Sequence, residues 1–381
     1  MMEKAFFPLD ERLGIPANGI TPRVQKYLLE RLSEEDYRAS ADSLEVLGNS
    51  ISPAAAGKLQ REMGAQIHAE RFGPEAAVQA AQTAPANPAQ LLIVSGDGAR
   101  FRTNEADVLA ETGKRRIPAA DKSAEEQDRG WRENKVGVVI RAQKGFTKPD
   151  GTYQPPEELV KTYVATAADI RAFGHDLRTE AERRGIQTAR EVVWISDHGH
   201  GLPEMREREF PNANVITDFF HCSERLGECA RVVCGEGDAF KRPRQKFFHR
   251  LNDQLYRGNV EKVIALVRGE ASKRAAEPKR LSDLDMLPAA KILWTHVFYF
   301  EKHQHTMNYS AYRAKGWPIG SGAIESACGQ FGNRFKHGRM RWTKAGAEAG
   351  YQVKAAILSQ DGQWEHRWPA PIPRLDLAVA S

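Results

Sequence analysis

Two short apolar runs, LLIVSGD at 91–97 and VVWISD at 192–197, each end in an aspartate, and a glycine follows within two residues. Runs of this length and composition read as strands. An acid that closes such a strand can point into a cleft. If the two strands are parallel neighbours, their backbones lie about 4.8 Å apart, and the carboxylates of Asp97 and Asp197 can reach one divalent ion. A third carboxylate from a helix completes a two-metal site, in which ions about 3.5 to 4 Å apart activate a nucleophile and stabilise the leaving oxygen.

Further strands are expected at Lys135–Ala142, Thr162–Thr166 and Asn214–Phe220, with a helix over residues 168–184 and another between the last two strands. The first strand is expected to run from Leu91 to Phe101, so the predicted order is β-β-β-α-β-α-β. Before it, Thr21-Pro22 and Ser52-Pro53 pair an N-cap with proline at the first helical position, and Ser33 precedes the acidic turn Glu34-Glu35-Asp36. Three short helices follow from these starts. The last two, around Gly48-Asn49-Ser50, have the pattern of a helix-turn-helix, which helical hairpins with no DNA role share.

The expected organisation is a helical region at 1–78, a linker at 79–90 rich in Ala, Gln and Pro, and an α/β core whose first part spans 91–220. A helical insertion follows at 221–315, then helices completing the core at 316–368 and a Pro-rich tail at 369–381. The turn GWPIGSG at 316–322 opens a helix from Ala323 to about Phe335. Glu325, in the first turns of that helix, is the candidate third acid. Its face continues through Cys328, Gly329 and Gly332, small residues that allow close approach to the sheet or to a phosphate.

A formal net charge of +5 over 381 residues singles out no partner, but its distribution is informative. Residues 1–90 carry 9 basic and 12 acidic side chains, residues 241–280 carry 12 and 4, and residues 311–345 carry 7 and 1. The late part of the chain is therefore expected to face a polyanion. Arg334, Lys336, Arg339 and Arg341 are the candidate phosphate contacts. The cysteines, 222, 229, 234 and 328, form no CxxC pair and are expected to be reduced, with 222, 229 and 234 packed thiols rather than a zinc site. No run approaches the roughly 18 apolar residues that span a bilayer, and MMEKAFFPLDER lacks a signal peptide's apolar stretch. A cytoplasmic, nucleoid-associated protein is expected.

SGDGARF at 95–101, WRENKVGVV at 131–139, VVWISDHGHGL at 192–202, FPNANVITDFFHCSERL at 210–226, GWPIGSGAIESACGQF at 316–331 and GRMRW at 338–342 occur in that order. Over residues 91–368 the chain resembles bacterial insertion-sequence DDE transposases of the ISKra-four type, relatives of the mutator-like transposases. The resemblance implies an RNase H-like core, with Asp97, Asp197 and Glu325 as the catalytic, metal-binding triad and Mg²⁺, or Mn²⁺ in its place, as cofactor. It implies cleavage and strand transfer of DNA, with transposon ends and target DNA as partners and a homodimer or larger assembly to pair the ends. Asp218 and His221 resemble the family's D-x-x-H signature, an auxiliary pair that orients the site; a capped strand-to-helix junction is the alternative. His198 and His200 are loop polar groups that, if protonated, can touch phosphate. Two further expectations stand beside the transposase: a catalytically inactive DNA-binding descendant, and an RNase H-like nuclease without joining activity.

Overall fold

The structure, a computed structural model, describes residues 19–46, 48, 50–83, 85–112, 130–199, 201–336 and 340–369. The N-terminal helices are α1 (Pro22–Leu32), α2 (Tyr37–Glu45), α3 (Pro53–Phe72) and α4 (Pro74–Gln82). Thr21 and Ser52 cap α1 and α3 as expected, their hydroxyls accepting from Val24 N and Ala55 N. Ser33 closes α1 instead of starting α2. The cap of α2 is Asp36, whose Oδ1 accepts from both Arg38 N and Ala39 N, while the Ser33 hydroxyl donates back to Glu30 O at 2.7 Å. Helix α4 also runs into the stretch expected to be a linker.

A five-stranded mixed sheet follows, built from β1 (Leu91–Arg102), β2 (Trp131–Gln143), β5 (Glu157–Thr166), β6 (Val192–Ser196) and β7 (Asn214–Thr217). Its order is β5-β2-β1-β6-β7. β5, β2 and β1 pair antiparallel, and β1, β6 and β7 pair parallel. Between β2 and β5 lies a small hairpin, β3 (Phe146–Thr147) with β4 (Tyr153–Gln154), whose two-residue strands carry too little pattern to be expected. Helix α5 (Glu105–Thr112) follows β1, α6 (Ile170–Arg183) joins β5 to β6, and α7 (Leu202–Glu209) joins β6 to β7.

The continuous apolar runs are explained by burial on both faces of the sheet. Leu91 and Ile93 of β1 face one core with Val193 and Ile195 of β6. Leu92, Val94 and Trp194 face another, closed by Phe173 and Leu177 of α6 and Met205 of α7. The first core continues into α8 (Phe219–Cys234), α9 (Lys241–Tyr256), α10 (Val260–Ser272), α11 (Pro288–His303), α12 (Tyr309–Ala314), α13 (Gly322–Phe335) and α14 (Lys344–Leu358). Cys222 and Cys229 are buried in it as packed thiols. The last helix is α15 (Gln363–His366).

The N-terminal helices do not stand apart. Leu28, Leu32, Leu59 and Ile67 share a cluster with Val353 of α14 and Trp364 of α15. Gly64 lets α3 press on α14, since a Cβ there would sit 2.5 Å from Ala349 Cα. Polar ties reinforce the clasp: Lys354 Nζ reaches Ser33 O at 2.9 Å and Glu34 Oε1 at 2.7 Å, and Lys26 pairs with Glu365 at 2.5 Å. The exposed face of α3 carries Lys58, Arg61, Glu62 and Glu70, a balanced set with no excess of positive charge. Among the described residues, no helix is long and apolar enough to cross a membrane.

Candidate active site

The paired register of β1 and β6 ends at Ser95 opposite Ile195, where Ser95 Oγ donates to Ile195 O at 2.7 Å. Two residues further, the same register sets Asp97 beside Asp197. Asp97 closes the apolar part of β1 but not the strand, which runs on to Arg102 against β2, with Asp97 opposite Val136. On the other side β6 stops at Ser196, leaving the Asp97 carboxylate on an open edge. Gly98 N donates to Asp97 Oδ1 at 2.6 Å, and the Cys328 thiol lies 3.5 Å from Oδ2. Burial, and next the Asp197 charge, push the Asp97 carboxyl above the ordinary carboxylate range.

Asp197 begins the loop after β6, its Oδ1 accepting from Gly199 N at 2.8 Å. His198 takes φ 63°, which turns its side chain back against the fold. Its Nε2 meets Thr217 Oγ1 at 2.8 Å and its ring stacks on His303 at 4.0 Å. Burial pushes the His198 imidazole down to about 4, so it is neutral at pH 7 and does not serve as a phosphate contact. His200 lies outside the described residues.

The last strand of the parallel side, β7, is shorter than its composition suggests. Phe219 and Phe220 open α8 instead of closing β7, because the Asp218 carboxylate caps the helix by accepting from His221 N at 2.9 Å. Its other oxygen accepts from Ser321 N, the N-cap of α13, at 2.5 Å. One buried carboxylate thus fixes the starts of two helices. The capped junction is what the geometry displays, and it also sets where α13 begins. Burial disfavours the Asp218 charge, but the hydrogen bonds from His221 and Ser321 outweigh it and hold the carboxyl below its ordinary value.

Glu325 lies one helical turn before Cys328 on α13, which packs on the sheet through Ile324, Ala327 and Phe331. Its side chain is half-exposed. Burial and then the Asp218 charge raise its carboxyl, with Asp97 contributing. His221 Nδ1 sits between the acids, 3.5 Å from Asp218 Oδ1 and 3.8 Å from Glu325 Oε1. The Asp218 carboxylate raises the His221 imidazole to about 9, so it is cationic at neutral pH. Ligand atoms of Asp218, His221 and Glu325 all lie within 4.8 Å of one another. A cation held by this cluster through His221 would first have to displace the imidazole proton; without one, the protonated ring balances the charge of the acids. Gly329 does not bring α13 close to the sheet: a Cβ there would meet open space, leaving room beside Glu325.

Of the expected phosphate contacts, Arg334 is corrected. It is 2% exposed, donates to Leu32 O at 2.8 Å and lies 4.4 Å from the centre of the Trp342 ring. Here the guanidinium clasps α1 to the C-terminal helices and faces no solvent. Lys336 and Arg341 are exposed, and Arg339 lies outside the described residues. A clearer basic face is on α9, where Lys241, Arg242, Lys246 and Arg250 are exposed and free of ion pairs among the described residues. The four-residue spacing of Arg242, Lys246 and Arg250 was readable as one helical stripe. Tyr256, at the other end of α9, packs 5.7 Å from Phe219, so the helix leads to the acids.

No protein-family model matches the chain, and no match to a curated protein was found.

Proposed function

We propose that the chain is a DNA transposase with an RNase H-like core, cleaving DNA and joining the freed 3′-end to a target. The observation that carries this reading is the parallel β1–β6 register, which sets Asp97 beside Asp197 while α13 brings Glu325 over the same edge. The strand order, with three antiparallel strands continued by two parallel ones, supports the RNase H-like assignment.

The donor set suits a hard divalent cation. Its oxygens are carboxylate, and the raised values at Asp97 and Glu325 reflect burial together with like charges that a cation would relieve. Asp97, Asp197 and Glu325 would hold Mg²⁺, or Mn²⁺, which supplies activation of water or of a 3′-hydroxyl and stabilisation of the departing oxygen. The chain's own groups orient this set. Asp218 pins Ser321 and so the start of α13. Cationic His221 offsets the charge between Asp218 and Glu325 and holds the latter toward the edge. The α9 cations offer phosphates a path away from the acids, as in-line phosphoryl transfer on a long polyanion requires. Both strand cleavage and joining use this one geometry, and two ends call for at least two protomers.

The test is divalent-ion-dependent nicking and joining of labelled DNA carrying the ends of the element that encodes the chain. Wild type should give nicked and joined products, and Glu325→Gln or Asp97→Ala should give neither while still binding. Retained cleavage by these variants refutes the triad. Cleavage without joining makes the protein a nuclease, and binding without cleavage by the wild type makes it an inactive DNA-binding relative.

A further inference from the structure

Phe220 is 50% exposed, although Phe219 beside it is buried at 7%. A lone exposed apolar side chain is ordinary on protein surfaces. Two features set this one apart. The first is its place in the chain, two residues after Asp218 and immediately before His221. The second is how the ring is held. It rests against Gly320, where any Cβ would overlap two ring carbons, and Phe219 meets it at 5.8 Å with planes 76° apart. Gly320 precedes Ser321, whose amide binds Asp218. The ring is therefore braced from beneath by the turn that starts α13, the same turn whose Ser321 amide binds Asp218, and it neighbours His221 on α8.

We infer that Phe220 is a stacking platform for one unpaired nucleobase beside the phosphate to be cut. The inference rests on the transposase reading. A nucleobase offers the flat apolar face that this ring lacks, and a base is covalently tied within one nucleotide of its own phosphate, so a phosphodiester at the acids brings a base within reach. Stacking of this kind is tolerant of sequence and is worth about 5- to 150-fold in affinity when the aromatic is cut back to alanine. Taking a base out of a duplex has a cost that falls when the base is already unpaired. The platform therefore favours DNA frayed at the cut position over fully paired DNA.

The test measures binding without chemistry, by fluorescence anisotropy in Ca²⁺ buffer. Two duplexes carrying the element's end are compared, one fully paired and one with an unpaired 2-aminopurine at the cut position. Wild type should prefer the frayed duplex and quench the 2-aminopurine. Phe220→Ala should lose about 5- to 150-fold on the frayed duplex only, and Phe220→Trp should restore both affinity and quenching. Wild type without a preference, or Phe220→Ala with unchanged affinities, overturns the platform and leaves the transposase reading standing. Failure of wild type to bind either duplex removes both. A change of protomer number in Phe220→Ala with DNA affinity unchanged overturns the platform and gives the ring to a protein interface.

Discussion

Neutralising the α9 stripe is the sharpest test of where DNA would run under the proposed function. Arg242, Lys246 and Arg250 are exposed, lack ion-pair partners among the described residues, and repeat at four-residue steps. From the first to the last is about 12 Å along the helix, the span of roughly three to four phosphates of one strand. Replacing all three by Gln removes three charges and retains helix-forming side chains. If each neutralises one phosphate, the slope of log K against log salt should flatten by about 2.7, from about 0.9 per contact. Carried to 0.15 M salt, this is a loss of about 170-fold in affinity, shrinking toward nothing near 1 M. The assay is a salt titration of binding to an end-bearing duplex, with thermal unfolding as a control for the fold. Parallel log–log lines for wild type and variant would refute the reasoning, because contacts that release no counterions are not phosphate contacts.

Two other predictions concern the scaffold and its charges. Glu180 is fully buried and takes Arg183 at 2.5 Å, Arg184 at 2.7 Å and Arg71 at 3.2 Å; burial opposes its charge, but the three cations hold it well below the carboxylate range. Glu180→Gln leaves buried guanidinium groups uncompensated and should cost about 3 to 5 kcal/mol in urea unfolding; a loss below about 1 kcal/mol would show that water reaches the cluster. For His221, whose value rises from 6.5 to about 9 on folding, the stabilisation is complete below pH 6.5 and disappears as pH climbs through 9. The gap in melting temperature between wild type and His221→Asn should accordingly narrow across that window in calorimetry, and a constant gap would show that Asp218 does not charge the ring.

The core strands were legible because burial on both faces writes an uninterrupted apolar run, and Asp97 and Asp197 stand where those runs break. The start of α13 was legible from the glycine-rich turn before it. Other features depend on partners far along the chain. Phe219 and Phe220 look like the end of a strand until the Asp218 cap is seen to accept from His221 N. Arg334 looks like one more surface cation, and only Leu32 and Trp342 reveal it as buried. Ser33 failed as a cap because its hydroxyl donates back to Glu30 O at the end of α1, while Asp36, three residues on, accepts from two amides at the start of α2. Charge counts located the basic region correctly but not its exposed face, which is decided by which side of α9 Leu251 and Leu255 bury.

The clasp between the N-terminal helices and α14 has a consequence for synthesis. Leu28, Leu32, Leu59 and Ile67 emerge early from the ribosome, yet Val353 and Trp364, which cover them, are translated roughly 290 residues later. At about 5 to 20 residues per second, that apolar face waits about 15 to 60 s for its lid. Glu325 is made in the same late interval. A nascent or truncated chain therefore exposes that apolar helical face while it still lacks Glu325. The apolar face is thus covered, and Glu325 brought beside Asp218 and His221, only when the late helices dock.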